Sequence, residues 1–268
     1  MSSRYPVAWR GWLTTRLIGE PSSSRTQIVR NRSYGLGMDI ILIPGLWLNA
    51  STWDAVVPYL EAAGHRARPL TLPGMESKTA NRAGITVEDH VAAIVDALDD
   101  ADDPALLVGH SAGSGLAWAA VDARPDQVAR VVYVGGFPGS DGDPLLNGLP
   151  AENGEVAMPD WKEMGEEANV VDFEPAQLER LYADAIPVPE AVITTPIKLT
   201  NERRYAVPAT AICPEYTAAD LREWMAAGDL PELERTTDLD LVDLPGGHWP
   251  QLTQPEALAA ALIEAAAR

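Results

Sequence analysis

The sequence predicts an α/β protein with a doubly wound, mostly parallel sheet and a small helical cap. Short β-branched runs alternate with helix-like segments along most of the chain, the order that a parallel sheet with right-handed crossovers requires. This alternation breaks between residues 138 and 205. With 268 residues, the chain is long enough to bury a sizeable core.

The core of the domain is predicted in two parts, 38–137 and 206–268. Strands are expected at 39–43, 67–72, 105–108, 128–134, 209–213 and 239–244. Helices are expected at 51–60, 86–98, 115–123, 218–226 and 255–266. Thr86 precedes an acidic first turn, which is an N-cap signal for the second of these helices.

The interval 138–205 is predicted to form a cap, or lid, over the carboxyl edge of the sheet. It contains eight prolines, and its pattern predicts short helices at 158–167 and 175–185. The interval is too long for a plain loop and too short for an ordinary second domain. Seven of its apolar residues either line a substrate pocket or pack the cap onto the sheet: Leu145, Leu146, Leu149, Met158, Trp161, Met164 and Val170.

The charge of the chain argues against polyanionic partners. A net charge of −19 would repel nucleic acid and anionic membrane surfaces, because phosphate binding needs clustered Lys and Arg. No apolar run approaches the roughly 20 residues that a membrane span requires. The single cysteine, Cys213, cannot form an internal disulfide, so a reduced cytoplasm is the expected location.

The first 37 residues differ from the rest of the chain. They hold six arginines against one acid, Glu20, and they show no sustained periodicity. They also lack the apolar core of a secretory signal. Residues 1–37 are therefore expected to form a disordered extension.

A serine stands between two glycines at the point where a strand must turn into a helix. Gly109-His-Ser111-Ala-Gly113 matches the pattern G-x-S-x-G. Between a strand and a helix, this pattern is typical of a sharp turn that exposes a nucleophilic serine. The turn is so tight that side chains at the two glycine positions would clash with neighbouring backbone. Ser111 is the candidate nucleophile, and the N–H of Ala112 at the helix N-terminus is a candidate oxyanion donor.

His248 is the candidate general base for that serine. It follows the last predicted strand through a short glycine loop and precedes the last helix. Imidazole is suited to accepting a serine proton near neutral pH. The other histidines are placed differently: His65 in a turn, His90 in a helix and His110 inside the serine turn.

Another glycine turn, Pro44-Gly45-Leu46, follows the first predicted strand. It can offer the N–H of Leu46 as a second oxyanion donor. With the serine turn and the histidine loop, it makes residues 38–268 resemble the α/β-hydrolase superfamily. Within that superfamily the chain is similar to the small esterases and hydroxynitrile-lyase-like members that lack the first two strands. The family usually has His-Gly where this chain has Pro-Gly, a change that the backbone donor survives.

The resemblance offers more than one position for the third member of a catalytic triad. In relatives whose acid follows the strand after the serine helix, that position falls on Gly135, which cannot serve. The other family location follows the next strand, where Glu215 is the preferred residue to orient His248 through Nδ1. Asp141 and Asp220 remain as alternatives.

The reaction implied is hydrolysis of a small, largely neutral carboxylic ester or lactone through an acyl-enzyme. No metal or other cofactor is expected, because His and Cys are sparse and no phosphate-binding glycine pattern is present. Two alternatives are a triad-bearing lyase or perhydrolase, and a ligand-binding receptor on the same scaffold. A cyanohydrin lyase would need a cation near the nucleophile. The candidates are Lys162, Lys198, Arg203 and Arg204, whose pattern is more typical of solvated cap residues.

Overall fold

The computed structural model describes residues 37–268. The extension predicted at 1–37 lies outside the described residues except for Gly37. The described strands are β1 (Asp39–Ile43), β2 (Arg66–Pro69), β3 (Ala105–His110), β4 (Val128–Val134), β5 (Glu155–Val156), β6 (Val188–Pro189), β7 (Ala209–Cys213) and β8 (Leu239–Asp243). Six of them form one sheet in the order β2-β1-β3-β4-β7-β8, and every neighbouring pair is parallel.

Helices cover both faces of this sheet, so the predicted doubly wound α/β class is confirmed. The described α-helices are α1 (Val57–Ala62), α2 (Val87–Asp99), α3 (Gly113–Ala123), α4 (Pro175–Asp184), α5 (Glu190–Thr194), α6 (Ala218–Ala226), α7 (Pro231–Arg235), α8 (Pro250–Thr253) and α9 (Pro255–Ala266). One core lies under α1 and α9, and the other lies under α2, α3 and α6.

The alternation of side chains along each strand builds these two cores. On β1, Ile40 and Leu42 pack with α1 and α9, whereas Ile41 and Ile43 pack with the opposite layer. All four are fully buried. A strand that is buried on both faces in this way reads as a continuous apolar run, which is why its position could be predicted.

The predicted bounds are confirmed for β1, β4, β7, α6 and α9, whereas β2 ends at Pro69 before the predicted end at 72, and the helix predicted at 51–60 is wrong in its first half. A 3-10 turn covers Ala50–Trp53, and α1 begins only at Val57. Asn49 caps the 3-10 turn by accepting the N–H of Ser51 at 3.0 Å. Pro58 has no N–H to donate and is tolerated only in the first turn of a helix, so the helix starts late.

The residues between β4 and β7 include the inserted segment, 138–205. It contains the antiparallel pair β5–β6 together with α4 and α5. The helix predicted at 175–185 is present as α4, but the helix predicted at 158–167 is absent and its place is taken by turns. The carboxylate of Asp160 accepts the N–H groups of Lys162 and Glu163, and Gly165 has a φ of +73°. This local capping closes one turn and prevents a longer helix.

Among the helices described for 37–268, none combines the length and the apolar character that a bilayer crossing needs.

A buried cluster of charges ties the end of the inserted segment to the core. Arg204 is 2% exposed and contacts the carboxylates of Asp122 on α3, at 3.1 Å, and Glu232 on α7, at 3.4 Å. The Glu232 carboxylate also accepts the Tyr205 hydroxyl at 2.8 Å and the Trp118 indole N–H at 3.0 Å. Burial raises the pKa of the Tyr205 phenol, so its hydroxyl remains a donor. The expectation that Arg204 is a solvated residue is therefore wrong.

Replacing Glu232 with Ala should lower the free energy of unfolding by about 3 kcal/mol, because buried donors on three side chains lose their acceptor. Urea denaturation followed by tryptophan fluorescence measures this change. Glu234→Ala is the matched control, since Glu234 lies on the same helix but is exposed. Equal unfolding midpoints for the two variants would contradict a stabilising role for the cluster.

Candidate active site

Ser111 lies at the tip of a sharp turn between β3 and α3. Its φ is +54°, a left-handed conformation that is rare for a residue other than glycine. Its N–H donates to the carbonyl of Val134 on β4 at 2.8 Å. A Cβ at position 109 would come within 2.4 Å of the Gly113 carbonyl oxygen, and one at position 113 within 2.7 Å of the Pro44 oxygen. The predicted steric reason for the two glycines is therefore present in the structure.

The structure brings Ser111, His248 and Glu215 together in one hydrogen-bonded chain. Nε2 of His248 lies 2.8 Å from the Ser111 hydroxyl, and Nδ1 lies 2.5 Å from Oε1 of Glu215. If Nδ1–H donates to the carboxylate, Nε2 is left unprotonated and accepts the serine proton. This arrangement is that of a nucleophile, its base and the acid that orients the base.

Neighbouring strands position His248 and Glu215. β7 pairs in parallel with β8, so their carboxyl ends meet at one edge of the sheet. Glu215 follows the end of β7 by two residues, and His248 follows the end of β8 by a short loop. The side chains of both are buried, with 2% of Glu215 and 7% of His248 exposed. This burial excludes water from the bond between them and strengthens it.

The alternative acids lie elsewhere. Asp141 accepts the N–H of Leu199 at 2.8 Å within the inserted segment, and Asp220 forms the capping box of α6 with Thr217. Gly135, the other family position for the acid, has a φ of +56°. A Cβ at this position would lie 3.4 Å from both Oε2 of Glu215 and Nδ1 of His248. Positions 135 and 215, the two places where the family carries its acid, therefore both lie close to Nδ1 of His248.

The predicted oxyanion donors lie beside the serine. Gly45 packs against the serine turn, where a Cβ on it would be 3.0 Å from the Ser111 Cβ. Within the part of the chain that the structure describes, neither the Leu46 N–H nor the Ala112 N–H has a protein acceptor. Trp47, the next residue, has a φ of +65°, and its indole N–H donates to the Val156 carbonyl at 3.0 Å. The backbone bend at Trp47 is a rare conformation held at this site.

His110 has a role that sequence reasoning missed. It is fully buried, and its Nε2 lies 2.8 Å from the backbone carbonyl oxygen of His248. Burial, together with the nearby His248 ring, lowers the pKa of His110 to about 3. The ring is therefore neutral near pH 7, and Nε2–H donates to that carbonyl. Only its position next to Ser111 hinted at this role, because its partner is 138 residues away.

Aromatic side chains surround His248 and the turn that follows β1. Trp249 lies edge-on to the His248 ring at 4.8 Å, and Trp161 lies between Trp249, at 5.5 Å, and Trp47, at 5.8 Å. Of the seven apolar residues considered for a pocket, Leu145 and Trp161 are buried in the core. Four others are partly buried against it: Leu146, Leu149, Met158 and Val170. These contacts show packing for six of the seven.

A cavity of about 640 Å³ lies beside this aromatic group. Its apolar lining includes Leu48, Phe173, Leu181, Ile186 and Leu252, and its charged lining includes Lys78 and Arg180 with Asp54, Glu76 and Asp184. Leu48 follows the oxyanion turn and Leu252 follows the histidine loop in the sequence. The cavity therefore borders the two loops that flank Ser111, although Ser111 does not line it.

The cations considered for a lyase are not gathered at Ser111. Lys162 and Lys198 are exposed, Arg203 pairs with Asp126 on the surface, and Arg204 belongs to the buried cluster. In the described range 37–268, no group of three His, Cys, Asp or Glu side chains is arranged to hold a metal ion.

Comparison with known proteins identifies a family and several similar proteins for this chain. The sequence profile of the alpha/beta hydrolase family matches residues 40–261. A pyrethroid hydrolase from Sphingobium wenxiniae is 28% identical over 246 residues, which cover 84% of this chain and 86% of that protein. Methylesterase 8 from Arabidopsis thaliana is 33% identical over 100 residues, or 36% of this chain and 37% of that protein. An extracellular alpha/beta-hydrolase from a Paenibacillus species has the same fold, with a TM-score of 0.70 at 20% identity, covering 85% of this chain and 98% of that chain.

The bond between Glu215 and His248 can be tested by an isosteric change. Glu215→Gln should preserve the shape but favour the wrong imidazole tautomer, so kcat on a soluble chromogenic ester should fall by about 10³- to 10⁴-fold. Asp141→Asn should leave kcat near the wild-type value. The opposite ranking of these two variants would remove Glu215 from the site.

A second acid position allows a rescue experiment in the same background. Adding Gly135→Asp to Glu215→Gln places a carboxylate next to Nδ1, and Asp tolerates a positive φ better than most residues. Part of the lost kcat should return. Gly135→Asn in that background is the control, because it adds the same bulk without a charge.

The low pKa of His110 predicts a pH-dependent contribution to stability. Because the folded pKa of about 3 lies below the ordinary value of 6.5, the unfolded chain binds the proton more tightly. This contribution is complete above about pH 6.5 and is lost as the pH falls from there towards 3, by up to about 1.4 kcal/mol per unit. His110→Gln should flatten the acid side of the stability profile in urea melts. Parallel profiles for the two proteins would contradict a buried, neutral His110.

Proposed function

The chain belongs to the alpha/beta hydrolase family, and we propose that it is a serine hydrolase that cleaves a small, largely neutral carboxylic ester or lactone. One observation carries the proposal: the continuous hydrogen-bonded chain from the Ser111 hydroxyl through His248 to Glu215, with distances of 2.8 and 2.5 Å. The named relatives that match, a pyrethroid hydrolase and a methylesterase, support hydrolysis of an ester.

Acylation begins with proton transfer from Ser111 to Nε2 of His248. The serine oxygen attacks the ester carbonyl carbon, and the carbonyl electrons move to the oxygen of a tetrahedral intermediate. The N–H groups of Leu46 and Ala112 donate to that oxyanion. Glu215 stabilises the imidazolium that forms. His248 then protonates the departing alcohol, and an acyl-enzyme remains on Ser111.

Deacylation repeats these steps with water as the nucleophile. His248 accepts a proton from the water, which attacks the acyl carbon, and the same two N–H groups hold the new oxyanion. The proton returns to Ser111 as the carboxylic acid leaves. The chemistry uses only groups of the chain and water, so the proposal includes no cofactor.

The character of the site favours an uncharged substrate. The net charge of −19 opposes anionic substrates and nucleic acid, and the apolar rings of Trp47, Trp161 and Trp249 pack against one another between the turn after β1 and the His248 loop. We propose the inserted segment, 138–205, as the cap of the site, because it contributes Trp161.

The single cysteine, Cys213, is buried, and burial raises its pKa to about 12, so the thiol is unreactive. The proposed location is the cytoplasm.

Hydrolysis is preferred over cyanohydrin cleavage on one observation. A lyase of that kind needs a cation to hold cyanide, whereas the candidate lysines are exposed and Arg204 is paired with two buried carboxylates. A receptor without catalysis would have no need of a base 2.8 Å from the serine hydroxyl.

Ser111→Ala tests the assignment directly. Turnover of a short-chain chromogenic ester should fall by several orders of magnitude while the fold, followed by circular dichroism, is unchanged. A serine-directed phosphonate should add its mass to the peptide containing Ser111 in the wild-type protein and should not label the variant. Labelling at Ser114, or wild-type turnover by the variant, would refute the proposal.

A further inference from the structure

The loop that carries His248 is held by residues 169–173 of the inserted segment. The backbone N–H of His248 donates to the carbonyl oxygen of Asn169 at 2.7 Å. Asn169 is itself buried, with 3% of its surface exposed. One residue further along the loop, Trp249 lies edge-on to Phe173 at 6.0 Å. These contacts connect the segment to the base as well as to the proposed substrate side of the site.

Asp172 lies at the centre of this contact. Its carboxylate is packed against the glycines that precede His248: a Cβ on Gly246 would come within 2.8 Å of Oδ2, and one on Gly247 within 2.3 Å of Oδ1. Oδ2 also accepts the Thr253 hydroxyl at 2.8 Å and the Gln254 amide at 3.4 Å. The carboxylate therefore lies against the start of the stretch that contains His248 and accepts hydrogen bonds from its end.

The same stretch is closed from its other side. The Gln254 amide that reaches Asp172 also donates to the carbonyl oxygen of Pro245 at 3.0 Å. Oδ1 of Asp172 is buried and has no hydrogen-bond partner among the described residues. A buried carboxylate oxygen without a partner is costly, so the close approach to Gly247 is retained at a cost to stability.

We propose that Asp172 is a positioning residue, which holds the glycine loop against Asn169 so that Nε2 of His248 stays within hydrogen-bonding distance of Ser111. This inference rests on the proposed function. The contacts act on the backbone of His248 and not on its ring, so they set where the ring stands without touching substrate. Misplacing a catalytic group by about 1 Å can cost about 100-fold in rate.

The test uses Asp172→Ala and Asp172→Asn in the full chain, with a soluble chromogenic ester. Asp172→Ala should lower kcat about 10- to 100-fold with little change in KM, because the base is displaced while the substrate surface remains. Asp172→Asn keeps the shape and one oxygen acceptor for Thr253, so it should restore most of kcat. The low-field proton resonance of the hydrogen bond between His248 and Glu215 should weaken in the first variant and persist in the second.

A matched control separates positioning from a general weakening of the inserted segment. Asp143 lies in the same segment, and its carboxylate accepts the Ser140 N–H at 3.0 Å. It is far in sequence from both residues 169–173 and the loop that carries His248. Asp143→Ala should keep kcat and the proton resonance. Equal losses in both variants would overturn the proposal, as would a wild-type kcat in Asp172→Ala or a loss confined to KM.

Gly247→Ala approaches the same contact from the loop. The added Cβ would come within 2.3 Å of Oδ1 of Asp172 and 2.6 Å of the backbone oxygen of Asn169, so the contact between the loop and residues 169–172 must open. This variant should also lose kcat with KM retained, and a wild-type kcat would overturn the inference. Phosphonate labelling keeps the two proposals distinct: the wild-type protein should be labelled at Ser111 if the proposed function holds, and labelling of the same residue at a lower rate in Asp172→Ala is the result expected from a displaced base.

Discussion

The close approach of backbone to backbone at the carboxyl edge of the sheet is the constraint on which the site depends. The loops after β1, β3 and β4 meet around Ser111, and little space separates them. A Cβ at Gly113 would lie 2.7 Å from the backbone carbonyl oxygen of Pro44, and one at Gly136 would lie 2.4 Å from the backbone carbonyl oxygen of Ser111. Close packing of this kind places the turn after β1 beside the serine and leaves the serine one backbone conformation, which is left-handed.

The position of Glu215 follows from the same geometry. Gly135, at the end of β4, lies close to Nδ1 of His248, and its lack of a side chain leaves room there for the carboxylate of Glu215. Glu215 comes from β7, the next strand of the sheet, and adjacent strands lie about 4.8 Å apart. A glutamate has one more methylene than an aspartate, which extends its reach from that strand. A carboxylate that approaches His248 from β7 is therefore expected to belong to a glutamate, as it does in Glu215.

The sequence predicts those strands and helices whose ends are determined by neighbouring residues in the chain. β1, β4, β7, α6 and α9 begin and end at the expected residues, because an apolar run or a capping residue marks each end. The helix expected at 158–167 fails for a local reason too, since Asp160 bonds to the N–H groups just after it and competes with the helix. Pattern alone does not show which of two local preferences prevails.

Contacts between distant parts of the chain lie beyond such reasoning. Ser111 and His248 could be chosen because each stands at the end of a strand, but the bond from His110 to the His248 carbonyl depends on tertiary packing. The burial of Arg204 also depends on Asp122 and Glu232, which come from two helices far apart in sequence. His248 is thus held at its N–H by Asn169 and at its carbonyl by His110, so the inserted segment and the serine turn together determine where His248 lies. Residues 169–173 therefore act on His248 through its backbone and on Trp249 through Phe173, so under the proposed function a substitution in this segment would change the rate without touching the ring of His248.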